Sequence, residues 1–206
     1  MSFYPSVFAA IYNPVLATGE MAGLGRMRSE VLAEAKGAVL EIGAGTGLNL
    51  RHYPAGVNLT VTEPDAAMFR RLTKAAVDHP LRPQLVQAPA ENLPFEAGRF
   101  DTVVSTLVLC TVPDVPASLA EIRRVLKPGG RLLLIEHVLG GRALAAVQNR
   151  MHRPWKAFAC GCNCNLRTPE LLTDAGFDAG PLRPASWKLM PPLVRPLVHG
   201  SIEVPI

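Results

Sequence analysis

The chain has 206 residues, of which 49% are hydrophobic and 18% charged, and its formal net charge is +4. Such a length and apolar content suit one domain with a sizeable core and exclude a disordered or low-complexity chain. The basic excess is scattered, with Arg70-Arg71 and Arg123-Arg124 as the only adjacent pairs and no aromatic residues interleaved with basic runs, so nucleic acid is not an expected partner. No apolar run reaches the roughly eighteen residues needed to span a bilayer, and no basic-then-hydrophobic leader opens the chain, so a cytoplasmic location without a transmembrane segment is expected. Peripheral contact with an anionic membrane is compatible with the charge, and composition sets no oligomeric state.

In chain order, Tyr4, Val7, Phe8, Ile11 and Tyr12 recur at helical spacing and form an apolar and aromatic stripe. The stripe packs on a sheet or acts as a lid bringing Tyr12 towards a ligand. Val39–Ile42 reads as a strand that feeds the glycine-dense turn Gly43-Ala44-Gly45-Thr46-Gly47, where a main chain free of Cβ atoms can approach a ligand closely. A second strand, Asn58–Thr62, ends at Glu63, placed to accept both hydroxyls of a ribose. The dinucleotide fingerprint wants a third glycine where Leu48 stands, which disfavours a nicotinamide cofactor. Glu41 would repel a pyrophosphate but attract an ammonium group, and the combination points to S-adenosylmethionine. Asn49 could orient the cofactor's carboxylate, while Pro64 and Met68 would wall its adenine.

A third strand, Gln84–Gln87, leads to Ala88-Pro89-Ala90-Glu91-Asn92, where backbone near Ala90 and the Glu91 side chain could read the adenine edge. Phe100–Ser105 forms a fourth strand, after which Thr106 would face the methionine end. Leu126–Arg131 is a turn before a fifth strand, Leu132–Glu136. His137 at that strand's end is the candidate general base, because strand ends face the predicted site and imidazole titrates near neutrality. Arg142–Trp155 reads as a helical insertion anchored by Trp155 that covers substrate, and Thr168 is placed to cap a helix beginning Pro169-Glu170. The four cysteines, Cys110, Cys160, Cys162 and Cys164, are expected to be reduced. No metal site is expected, since one-residue gaps turn the last three thiols in alternate directions and no nearby histidine completes a zinc pattern. The proline-rich tail after Gly176-Phe177 excludes a long helix and suggests edge strands.

Strands alternating with helices predict an α/β fold, Rossmann-like, with a mostly parallel central sheet, helices on both faces and an antiparallel C-terminal edge strand. The motifs VLEIGAGTG, TEPD, APAENLPF, FDTVVSTLVLCTV and LKPGGRLLLIEHV resemble the successive motifs of class I S-adenosylmethionine-dependent methyltransferases over residues 38–138. APAEN, STLVLCTV, EHV, a tryptophan-lysine pair, GC and a closing VRP…G are similar to the small alkyl-thiol methyltransferase branch, with bacterial lipid and quinone methyltransferases as further relatives. The resemblance implies one domain, with residues 1–37 as N-terminal helices or lid, 38–138 as cofactor core and 139–206 as substrate cover and C-terminal strands. It implies methyl transfer from S-adenosylmethionine to a small lipophilic acceptor, a thiol sulfur by preference, with Tyr12, Trp155, Cys162 and Asn163 near the acceptor. Carbon methylation of a quinone precursor, nitrogen methylation of a phospholipid headgroup, or a non-catalytic cofactor-binding regulator are the alternatives.

Overall fold

The computed structural model describes residues 13, 14 and 16–205, so the predicted stripe from Tyr4 to Tyr12 lies outside the described residues. Seven strands form one sheet in the order β3-β2-β1-β4-β5-β7-β6. They are β1 (Ala38–Ile42), β2 (Asn58–Thr62), β3 (Gln84–Val86), β4 (Phe100–Thr106), β5 (Leu126–His137), β6 (Arg183–Ser186) and β7 (Pro196–Glu203). The first five pair in parallel, whereas β7 runs antiparallel to both β5 and β6. The expected mixed sheet with an antiparallel C-terminal strand is therefore present, with β6 added outside β7.

Side-chain alternation explains why this sheet needs cover on both sides. Leu40, Ile42, Val103, Leu132 and Leu134 enter one core, while Val39, Val104, Leu133 and Ile135 enter the other. Neighbouring residues thus point to opposite faces and both faces are apolar, as a central parallel sheet requires. On the first face, α3 (Val115–Val125) buries Val115, Leu119, Ile122 and Val125 along one stripe. On the second, α1 (Gly25–Leu32) contributes Val31 and Leu32, and α2 (Ala66–Ala76) contributes Leu72 and Ala76. Asp65 starts α2 by accepting from the Ala67 and Met68 amides at 2.9 and 2.8 Å, and Asp114 caps α3 through the Ala117 amide at 2.9 Å.

The predicted turn at Leu126–Arg131 survives as an irregularity within β5. Phe100 pairs with Leu126 and Thr102 with Arg131, so β5 spends three more residues than β4 over the same interval. Lys127 there reaches Asp101 at 2.7 Å, and the Asp101 carboxylate also accepts from the Ala38 amide at 2.8 Å. The Lys127 contact, aided by that amide, holds the Asp101 carboxyl below its usual range. A depressed folded value means that its stabilising contribution is present above the unfolded value of about 3.9 and is lost as pH falls through the folded one. Asp101→Asn is therefore expected to lower the unfolding midpoint near neutrality, with the gap from wild type closing as pH falls below that unfolded value. A gap that stays constant across a midpoint series against pH would contradict the assignment.

The insertion forms α4 (Arg142–Phe158), three residues longer than the sequence suggests. The short helix α5 (Thr168–Asp174) starts at Thr168, which corrects the capping expectation. The Thr168 side chain does not cap its own helix; its hydroxyl donates to the His137 carbonyl at 2.8 Å and ties α5 to the end of β5. Among the described residues, no helix is long and apolar enough to cross a membrane.

Candidate active site

The order of the sheet reverses beside β1, and the loops after β1, β2 and β4 meet at the carboxyl ends of their strands, where open α/β sheets bind ligands. A cavity of about 590 Å³ opens there between Gly43, Gly45, Glu63, Met68, Ala90 and Glu91 on one side and Leu107, Thr111, Lys156 and Gly161 on the other. A smaller space of about 30 Å³ adjoins it, bounded by Arg28, Glu41, Thr46, Asn49 and Thr106. The structure thus gathers most of the sequence-selected positions, including Ala44 and Pro64, around two connected spaces sharing Gly43, Gly45 and Leu107.

Two glycines set the shape of the loop. Gly43 has φ of +56°, and a Cβ on it would lie 2.7 Å from Val108 Cγ1. Gly45 has φ of +58°, with no atom within 4 Å of the corresponding position, so the absent Cβ leaves open room on the ligand side. Gly43→Ala is expected to cost about 1–3 kcal/mol through strained backbone and overpacking. Adding Val108→Ala should recover the packing part and leave the backbone part; no recovery in chemical denaturation would argue against the clash.

Glu63 fastens this loop to β2. Its Oε2 accepts from the Gly45 amide at 2.8 Å and its Oε1 from the Asp65 amide at 2.9 Å. Burial pushes the Glu63 carboxyl up, while those two amides pull it back. Each oxygen keeps a second lone pair, so the carboxylate can still receive hydroxyl donors from the cavity. Thr46 donates to Asn13 Oδ1 at 2.6 Å and draws the start of the described chain over the same loop.

Beneath the loop lies a buried polar network. Asn49 Nδ2 donates to Glu41 Oε1 and to Thr106 Oγ1, both at 2.8 Å, and the Tyr53 hydroxyl donates to Glu41 Oε2 at 2.8 Å. Burial raises the Glu41 carboxyl above its usual range against the pull of Tyr53 and Asn49. Arg28 completes the network. One of its terminal nitrogens donates to Asn49 Oδ1 at 2.7 Å and to Thr106 Oγ1 at 3.1 Å, while Nε donates to Glu20 Oε1 at 3.0 Å.

Arg28 and Lys156 were missed from the sequence. Arg28 lies on a helix before the first motif, where an arginine ordinarily marks a solvated face, and it is only 3% exposed. Lys156 carries a weak signal in the tryptophan-lysine pair, and it lines the large cavity together with Ala157, Cys160 and Gly161. The lining passes through these residues and not through the expected Trp155, Cys162 and Asn163. Asn163 instead donates twice to the Cys110 carbonyl, from its backbone amide at 2.6 Å and from Nδ2 at 3.1 Å.

His137 borders neither space. Its ring stacks on Trp187 with centroids 5.5 Å apart, and burial, against a backbone bond to Val194, lowers its pKa to about 4. An imidazole so placed is a weak base with no reach into the cavity. Its neighbour Glu136, raised by burial to about 7, accepts from Ser105 Oγ at 2.7 Å and the Val108 amide at 3.0 Å, and so shapes the loop after β4.

Comparison with known proteins identifies this constellation. A family model described as a methyltransferase domain matches residues 40–134. The chain is 32% identical over 202 residues to the thiol S-methyltransferase TMT1A of Homo sapiens, covering 94% of this chain and 81% of that protein. It is also 32% identical over 148 residues to a phosphatidylethanolamine N-methyltransferase of Cereibacter sphaeroides, covering 70% of this chain and 72% of the relative. A SAM-dependent methyltransferase structure from Thermotoga maritima aligns over 96% of both chains with a TM-score of 0.68 at 20% identity, a likeness of fold. A glycine loop open on its ligand side, a buried carboxylate after β2 and relatives matched over most of their length all agree: the chain belongs to the class I S-adenosylmethionine-dependent methyltransferases, and S-adenosylmethionine is its cofactor.

Proposed function

We propose that the enzyme methylates the sulfur of a small lipophilic thiol held in the outer part of the 590 Å³ cavity. The observation that carries this reading is the 32% identity to a thiol S-methyltransferase over 94% of the chain. The character of the cavity supports it. Leu107, Val108, Val112, Pro113 and Ala157 give an apolar wall, and Lys156 places a cation at its rim.

Bound S-adenosylmethionine supplies an electrophilic methyl group on a sulfonium. Glu63 would hold the ribose hydroxyls, Pro64 and Met68 would flank the adenine, and Ala90 with Glu91 would meet its edge. Arg28, Asn49 and Thr106 would form the polar end that receives the amino-acid portion, with Arg28 as the cation for its carboxylate. Each Glu41 oxygen has one donor and keeps a second lone pair, so its carboxylate would attract the ammonium group from beneath the loop.

A free thiol has a pKa of about 8.5, so some thiolate exists at neutral pH without a dedicated base. The chain's contribution is to align that sulfur, exclude water along the apolar wall and stabilise the thiolate through the Lys156 ammonium. Lys156→Gln should therefore move the acid limb of the pH–rate profile to higher pH and leave cofactor affinity unchanged. An unmoved limb would remove Lys156 from the scheme.

The acceptor is tested by incubating the enzyme with S-adenosylmethionine and, separately, alkyl thiols, quinols and phosphatidylethanolamine vesicles, and then quantifying methylated product and S-adenosylhomocysteine. Methylated thiol, absent with Glu63→Ala, is the expected result. Methylated headgroup with untouched thiols would instead favour the activity named for the Cereibacter relative.

A further inference from the structure

Three donor groups that methyl transfer does not use converge beside the cavity. Cys110 lies in the turn after β4, His137 ends β5 and Cys162 lies in the loop after α4. All three are buried, and one ligand atom from each falls within 4.8 Å of the others. Their neighbours Thr111 and Gly161 line the cavity, so the cluster joins two of its walls to the sheet.

The imidazole supplies an independent observation. His137 is 4% exposed, its ring is hydrogen-bonded to the backbone of Val194, and its Nδ1 is buried with no partner. A carbonyl acceptor requires the ring proton on the other nitrogen, which leaves Nδ1 with a bare lone pair in a closed interior. Burying an acceptor without a donor is unfavourable, and a cation supplies what is missing. The surroundings fix the donors in the way that outer contacts orient metal ligands. Val194 and Trp187 hold the imidazole, Asn163 grips the Cys110 carbonyl twice, and the Cys110 thiol donates to the Leu107 carbonyl at 3.7 Å.

We infer that Cys110, His137 and Cys162 form a site for a thiophilic divalent cation of the Zn²⁺ class, which pins the loop after α4 to the carboxyl end of the sheet. Two thiolates and a neutral imidazole are a soft donor set of the kind that selects such ions over Mg²⁺ or Ca²⁺. Zinc–sulfur bonds of about 2.3 Å in a tetrahedral site set the sulfurs about 3.8 Å apart, so the donors close on the ion with shifts of about 1 Å or less. Binding sends the two thiol protons to solvent and leaves no net charge in the interior, with a fourth position for water or another donor. The site was hidden from sequence spacing because its ligands come from three separate segments, and it stands whatever the acceptor proves to be.

Protein expressed with zinc in the medium and purified without chelators should carry equimolar Zn²⁺ by plasma mass spectrometry. Chelator-stripped protein should develop thiolate-to-cobalt charge-transfer absorption on addition of Co²⁺. Cys110→Ser, His137→Gln and Cys162→Ser should each weaken Zn²⁺ binding by about 100-fold or more, whereas Cys160→Ser should retain it. Should these variants fold poorly, the stripped wild-type protein gives a second reading, since Zn²⁺ should raise its unfolding midpoint. Wild-type protein with no bound zinc, no cobalt band and no midpoint shift overturns the inference. So does equal retention of zinc in all three variants, or a Cys110–Cys162 disulfide in protein that takes up no cation.

Discussion

Arg28→Ala is expected to destabilise the protein by about 3–5 kcal/mol, the range observed when one partner of a buried ion pair is removed. The Arg28 and Glu20 side chains are only 4% and 8% exposed, and their contact is 3.0 Å. Truncation would leave the Glu20 carboxylate buried without its cation while Asn49 Oδ1 loses its donor. The loss should appear as a lower denaturant midpoint with an unchanged slope. Pairing Arg28→Met with Glu20→Gln should recover part of it, because the stranded charge and not the lost attraction dominates the cost. A single-variant loss below about 1 kcal/mol would show that the pair is solvated in solution.

Glu63→Ala is expected to weaken binding of S-adenosylhomocysteine by about two orders of magnitude, with a much smaller effect on the unfolding midpoint. Hydrogen bonds to a charged group contribute about 1.5–3 kcal/mol each, and a ribose presents two hydroxyls. The carboxylate also orders the Gly45 and Asp65 amides, so some of the loss would arise from a loop no longer held in place. Glu63→Gln separates the two contributions, because one oxygen remains an acceptor while the other position becomes a donor. Titration calorimetry giving an affinity within about threefold of wild type would place the ribose elsewhere.

The sheet and the cofactor loop were legible in the sequence because each rests on a local pattern. Apolar runs of strand length, glycines in a tight turn and an acid at the end of the next strand are all read within a few residues of one another. The mostly parallel sheet with an antiparallel C-terminal strand followed from that reading, whereas the strand order and the Lys156 side of the cavity did not. The polar network below the loop did not, since the bond from Arg28 to Thr106 joins positions 78 apart. Nothing in residues 25–32 distinguishes an arginine directed into the interior from one facing water. His137 shows the opposite error. Its position at a strand end promised a base, but the stacked Trp187 arrives from the C-terminal segment and closes that end of the strand. Cys162 likewise lies within 4.8 Å of Cys110 and His137, donors that come from separate segments of the sequence.

The placement of β7 between β5 and β6 sets an order for assembly. Synthesis from the amino end delivers β6 before β7, yet among the described residues β6 pairs with no strand other than β7. Until β7 emerges, β6 has no strand to join, and one side of β5 stays open from Arg131 to His137. An open edge of that length, with Leu132–Ile135 within it, is a ready template for pairing with another nascent chain. The central sheet can form early, but protection against such mispairing comes only when β7 slides into the remaining gap.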